Sequence, residues 1–151
     1  MRAHSRAGDE TACAAGTLRR ASRSLTRLYD AHLARAGLTT TQFSILRTVQ
    51  RCGGRMPLTG LAAELVFERT SLYRALAPLG RAGLLSLRPG TDRRAREVTL
   101  TRRADRSIAR AMPHWEAAQR AVLTRLGHGA WSDLAARLGQ LTAIARSARP
   151  Q

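Results

Sequence analysis

Apolar residues recur every three or four positions through most of this chain, and the rhythm gives way to alternation only once. From about residue 12 to 36, Leu18, Ala21, Leu25, Leu28 and His32 form one stripe, with Arg19, Arg20, Arg23, Arg27 and Arg35 off it. That spacing predicts an amphipathic helix. Gly37 predicts its end, because glycine suits the left-handed backbone just past a helix C-terminus. Thr39 and Gln42 have capping-box spacing, so a second helix is expected behind them, with Phe43, Leu46 and Val49 on one face and Gly53-Gly54 as its stop. A short third helix is expected over 58–65, carrying Leu58, Leu61 and Leu65, with Thr59 as a candidate cap. Val66, Phe67 and Glu68 make a brief turn into a fourth helix over 69–82. Its buried stripe reads Leu72, Leu76, Leu79, which leaves Arg69, Thr70, Ser71, Tyr73 and Arg74 outside. Pro78 lies within it and removes one backbone donor, predicting a kink or a loosened last turn. Gly83 closes it.

The alternation follows at once. Residues 84–88 and 96–100 place Leu, Val and Thr at strand-like positions, and Pro89-Gly90-Thr91-Asp92 between them supplies turn chemistry. This is a β-hairpin with a cationic tip: Arg88, Arg93, Arg94 and Arg96 against Asp92 and Glu97. Thr101 is a candidate N-cap for a long helix reaching about residue 126, with a bend expected at Pro113. Gly127 and Gly129 should bracket a break. A last helix over 130–148 would carry Trp131, Leu134, Leu138, Leu141 and Ala145 on one stripe. The expected fold is mainly α with one small hairpin, in the order α-α-α-α-β-β-α-α.

Two short helices with a tight turn, then a hairpin, describe a winged helix-turn-helix. The second helix of such a pair can enter a major groove about 12 Å wide. The expected organisation is a polar tail over 1–10 and a single domain over 11–151. Within that domain, 39–101 form the winged lobe, flanked by helices over 11–36 and 102–148.

Charge strengthens this picture, with one correction. The 151 residues carry a formal net charge of +16, which favours a polyanionic partner. All 26 basic residues are arginine, however, a pattern of coding bias that also enriches Arg at neutral surface positions. Distribution therefore outweighs the sum: residues 69–106 hold ten Arg against Asp92, Glu97 and Asp105. Two cysteines and four scattered histidines provide neither a disulfide framework nor metal-ligand spacing. No paired carboxylates, Ser/His/Asp grouping or glycine-rich phosphate loop points to an enzyme or a cofactor. The sequence has no membrane-length apolar run and no signal-peptide core, so a cytoplasmic location away from the membrane is expected.

The wing reads D-x-R-A-x-x-V-x-L-T through Asp92, Arg94, Ala95, Val98, Leu100 and Thr101. Together with ERTSLYRALAPLGRAGLL at 68–85 and LTRLYDAHLARAGLTTTQFSIL at 25–46, it resembles the MarR family of bacterial transcription regulators. The resemblance covers roughly residues 18–101, and the carboxy-terminal helices agree in pattern only. It implies a homodimer with intertwined first and last two helices, so that 11–36 and 102–148 form a dimerisation region, and a pseudo-palindromic double-stranded DNA operator. By the same resemblance Arg94 would reach the minor groove and Asp92 would hold the wing tip by pairing with Arg. Ala104 departs from the family's usual glycine, and Pro78 and Gly80 weaken the recognition helix.

The residues assigned to DNA are Arg69, Thr70, Ser71, Tyr73 and Arg74 on the recognition helix and Arg88, Arg93, Arg94 and Arg96 on the wing. Tyr73 is read as facing DNA rather than the core. Arg93 and Arg96 could instead face solvent, since alternate strand residues point opposite ways. In the family, a crevice between the dimer helices and the DNA-binding lobe takes small, often aromatic, effectors, which makes Tyr29 and His32 pocket candidates for an aromatic or phenolic molecule. A core or interface role for His32 is the preferred reading. Hydroperoxide sensors of the family carry a reactive first-helix cysteine, for which Cys13 lies about two residues early, so an unreactive Cys13 is preferred. Cys52 is expected to pack, and Trp115 and Trp131 to anchor a dimer interface. The leading function is an effector-released repressor. The alternatives are a redox-sensing regulator using Cys13 and a non-specific architectural nucleic-acid binder.

Overall fold

Helix α1 (Ala14–Leu33) passes through a single 3-10 turn, Ala34–Ala36, and Gly37 into α2 (Thr40–Arg51). The structure is a computed structural model that describes residues 13–90 and 95–148, so the tail and the wing-tip residues Asp92, Arg93 and Arg94 lie outside the described residues. The expected capping box is present: Thr39 Oγ1 accepts from the Gln42 N–H at 3.2 Å, and Gln42 Oε1 accepts from the Thr39 N–H at 3.0 Å. There follow β1 (Arg55–Pro57), α3 (Leu58–Leu65), α4 (Arg69–Arg81), β2 (Leu85–Pro89), β3 (Arg96–Leu100), α5 (Arg102–Leu126) and α6 (His128–Ser147).

The mainly α pattern with a hairpin holds, and β1 is an addition. It pairs antiparallel with β3, setting Arg55 opposite Thr99 and Met56 opposite Val98, so β3 is the middle strand of three. Three residues are too few to display alternation, and Pro57 is tolerated because β1 lies at an edge. α4 runs unbroken past Pro78 and ends where Gly83, at φ 67°, lets Leu84 N–H return to the Leu79 carbonyl at 3.0 Å.

The core lies in the lobe and at the near end of α5. Leu33, Ile45, Leu46, Val49, Leu61, Leu72, Leu76, Leu79, Val98 and Ile108 are all fully buried. The predicted Leu72/Leu76/Leu79 stripe is thus the inner face of α4.

Several expectations need correction. Pro57, not Thr59, occupies the α3 N-cap; its fixed φ already suits a helix start, and Thr59 is exposed in the first turn. α6 starts at His128 and includes Gly129, so Gly127, at φ 87°, makes the break alone. Trp115 stacks on Phe43, with centroids 6.2 Å apart, and so anchors α5 to the lobe within one chain. Cys52 is the C-cap residue of α2 and is exposed, not packed.

Candidate nucleic-acid interface

α4 presents its polar side because its apolar side is fully used. Successive residues step about 100° around a helix. Thr70 and Arg74 therefore stand opposite the Leu72/Leu76/Leu79 stripe, and both are exposed, as are Arg69 and Ser71. Tyr73 lies at the flank of the stripe and is half-buried, packed against the core. Its exposure is thus partial, less than the open flank expected of a residue facing DNA.

The hairpin is held at both ends. Near the tip, Gly90 N–H donates to the Ala95 carbonyl at 2.9 Å. At the base, the Thr101 hydroxyl donates to the Gly83 carbonyl at 2.8 Å and Thr101 N–H to the Leu84 carbonyl at 3.1 Å. The same hydroxyl accepts from Ala104 N–H at 3.4 Å, so one threonine joins the end of α4, the wing and the start of α5. Ala104 is fully buried, which accounts for a small residue there.

Register sorts the wing arginines. Arg88 lies opposite Glu97 and Arg96 opposite Pro89, so the two arginines occupy opposite faces of the ribbon. Arg96 shares its face with the buried Val98 and, with Ala95, lines a recess of about 170 Å³ beside Thr59, Arg69 and Tyr73. Two guanidinium groups, one from α4 and one from the wing, thus flank one notch. Arg88 is exposed on the other face, its Nε 3.4 Å from Ser86 Oγ. The remaining predicted wing residues, Asp92, Arg93 and Arg94, lie outside the described residues.

A second feature faces away from the lobe core. Leu18, Leu25 and Tyr29 of α1 and Trp131, Leu138 and Leu141 of α6 line a groove of about 630 Å³. Its polar end holds Thr40, whose N–H and hydroxyl donate to Asp30 Oδ1 at 2.6 and 2.7 Å. A carboxylate at the first turn of α2 also complements the positive end of that helix. Tyr29 OH donates to Gln119 Oε1 of α5, and burial pushes its phenol above the ordinary value. Tyr29 lines the groove, whereas half-buried His32 is not among its lining residues. Cys13 is exposed as the α1 N-cap residue. The Asp30–Thr40 link escaped sequence reading because the two residues are ten apart and meet only through the turn at Gly37.

Among the described residues, no cluster of His, Cys, Asp and Glu is placed to hold a metal, and no helix is long and apolar enough to cross a membrane. No family model and no curated protein matches the sequence. Solved structures do match. The transcriptional regulator MosR of M. tuberculosis, in complex with DNA, superposes with a TM-score of 0.83 at 33% identity, covering 92% of this chain and all of that one. AbsC, a MarR family transcriptional regulator from Streptomyces coelicolor, gives 0.79 at 24% identity over 93% of this chain and 97% of its own. The chain belongs to the MarR family. A MarR mutant from E. coli complexed with operator DNA shares the fold, with a TM-score of 0.74 at 19% identity over 84% of this chain and 91% of that one. Placed in the MarR fold, α3 and α4 are the helix-turn-helix and β2–β3 the wing.

Proposed function

We propose that this MarR family chain is a homodimeric transcriptional repressor that binds a pseudo-palindromic double-stranded DNA operator and is released by a small aromatic or phenolic effector. The observation that carries the reading is the α4 surface: Thr70 and Arg74 are exposed opposite a fully buried leucine stripe, with exposed Arg69 and Ser71 at its sides and Arg96 of the wing beside Arg69. Arg74 and Thr70 are set to meet base edges in the major groove, where Arg pairs with guanine through two hydrogen bonds. Arg69 and Arg96 are set to meet backbone phosphate, and Arg88 with the tip arginines Arg93 and Arg94 extends the contact along the wing. MosR was solved on DNA, which supports the same use of this fold here.

The groove supports homodimerisation. α6 carries an apolar stripe and has no buried residue along its 20 positions. Leu18, Leu25, Leu134, Leu141 and Ile144 are between 38% and 62% exposed, concentrated on α1 and α6. A second copy brings the same two faces and buries both sets. The leucine-lined length takes the partner's helices, and the polar end at Tyr29 and Thr40 takes the effector, a phenol hydroxyl meeting theirs. Effector and operator oppose each other through linkage, each weakening the other by one factor.

Selection of duplexes from a random library tests the reading. A two-fold-related sequence should emerge and be preferred over random duplex by about 10³-fold or more at physiological salt. Equal affinity for random duplex would identify a charge-driven architectural binder instead. A peroxide response of operator binding that disappears in Cys13→Ser would establish the redox regulator.

A further inference from the structure

The last turn of α6 reaches the lobe at an informative point. Arg146 Nη2 donates to the Ala63 carbonyl at 2.5 Å, across 83 positions of sequence. Ala63 sits in the last turn of α3, which has no basic residue of its own there. Arg146 therefore supplies the cation that complements the negative end of that helix. It also lines a recess of about 340 Å³ with Ala62, Val66, Phe67 and Glu68, the turn between the two helices of the helix-turn-helix.

That turn is under strain. Val66 is the one non-glycine among the described residues with positive φ, at φ 55° and ψ 41°. A β-branched residue in the left-handed region persists only where its surroundings over-determine it. The determinants are visible: Phe67 N–H returns to the Ala62 carbonyl at 2.9 Å and Val66 N–H to the Ala63 carbonyl at 3.4 Å, the same oxygen that Arg146 grips. α4 begins three residues later, at Arg69.

We infer that Arg146 is a positioning residue that ties the α6 arm to the helix-turn-helix turn, so that seating the arms in a second copy fixes where α4 stands. This rests on the homodimeric, operator-binding reading above. It assigns the spacing of the two recognition helices to a contact remote from DNA. In a MarR dimer that spacing must match half-sites about one helical turn apart.

The test uses duplexes selected by the wild-type full chain, together with versions whose half-sites are moved apart or together by one base pair. Arg146→Ala and Arg146→Lys are compared with wild type. Arg146→Ala is expected to remain dimeric by analytical ultracentrifugation and to bind an isolated half-site as wild type does. Its discrimination against the shifted spacings should fall about two- to thirtyfold, and Arg146→Lys, which keeps a cationic donor, should restore it. Unchanged spacing discrimination in Arg146→Ala overturns the inference, as does loss of the dimer, which would make Arg146 an assembly residue. If wild type selects no two-fold duplex, the operator-binding reading itself fails and this inference falls with it.

Discussion

The winged lobe and the α1–α6 arms are built from the same leucine- and alanine-rich sequence, yet one is sealed and the other is open. In the lobe, Leu72, Leu76 and Leu79 of α4 meet Leu61 and Val98, and each is at most 1% exposed. In the arms, Leu134 and Leu141 keep 40% and 42% exposure on a stripe just as regular. An amphipathic stripe therefore reports that a face will be covered and says nothing about which chain covers it. The lobe completes itself within one chain. The arms leave apolar faces open in one chain, which supports the proposed second copy, and a surface that reads a two-fold operator would then depend on both.

Replacing the arm stripe should produce the largest effect. Leu134→Glu with Leu141→Glu is expected to abolish the dimer and lower affinity for the selected duplex by about 10²–10⁴-fold, because engaging the second half-site becomes a separate event. Circular dichroism should show the lobe still folded, and gel shift reads the affinity. A change inside the lobe breaks the comparison from the other side. Leu76→Ala should cost about 2–5 kcal/mol in urea unfolding. It should do so equally in wild type and in the Leu134/Leu141 variant, since distant sites add.

Smaller effects sharpen the contrast between packing and reading. Arg74→Ala should leave the melting temperature unchanged while weakening operator binding by about 1–3 kcal/mol and lowering the slope of log affinity against log salt by about one. Val66→Gly should raise stability by about 0.5–1 kcal/mol. It removes a left-handed valine that is 54% exposed and so has little packing to lose, and glycine's extra chain entropy offsets part of the gain. The smallest signal is alkaline. Burial raises the Tyr29 phenol above its ordinary value, so its contribution is intact below pH about 10 and is lost as pH rises through the folded-state value. Tyr29→Phe should flatten that alkaline decline in a pH series of unfolding curves.

Much of this was legible in the sequence because it is local. The Thr39–Gln42 box, Gly37 and Gly83, the α4 stripe and the hairpin all write their signals within a few residues. What stayed hidden is long-range. β1 is three residues that become a strand only because Val98 lies opposite Met56. Trp115 looked like a dimer anchor because its helix is amphipathic, and only the approach of Phe43 shows it serving its own chain. Tyr73 sits one residue beyond Leu72, and whether that flank is open depends on the wing, which brings Ala95 and Arg96 beside it. Arg146 was one of 26 arginines, indistinguishable by composition from its neighbours.

Hydrogen exchange measured across a dilution series tests the central contrast most directly, since it reads each element's protection separately. Amides of α2, α4 and β3 should stay protected at every protein concentration, whereas those of α1 and α6 should lose protection as the dimer dissociates. Protection of α1 and α6 that is the same in a demonstrated monomer would contradict the account, because the arms would then be complete without a second chain.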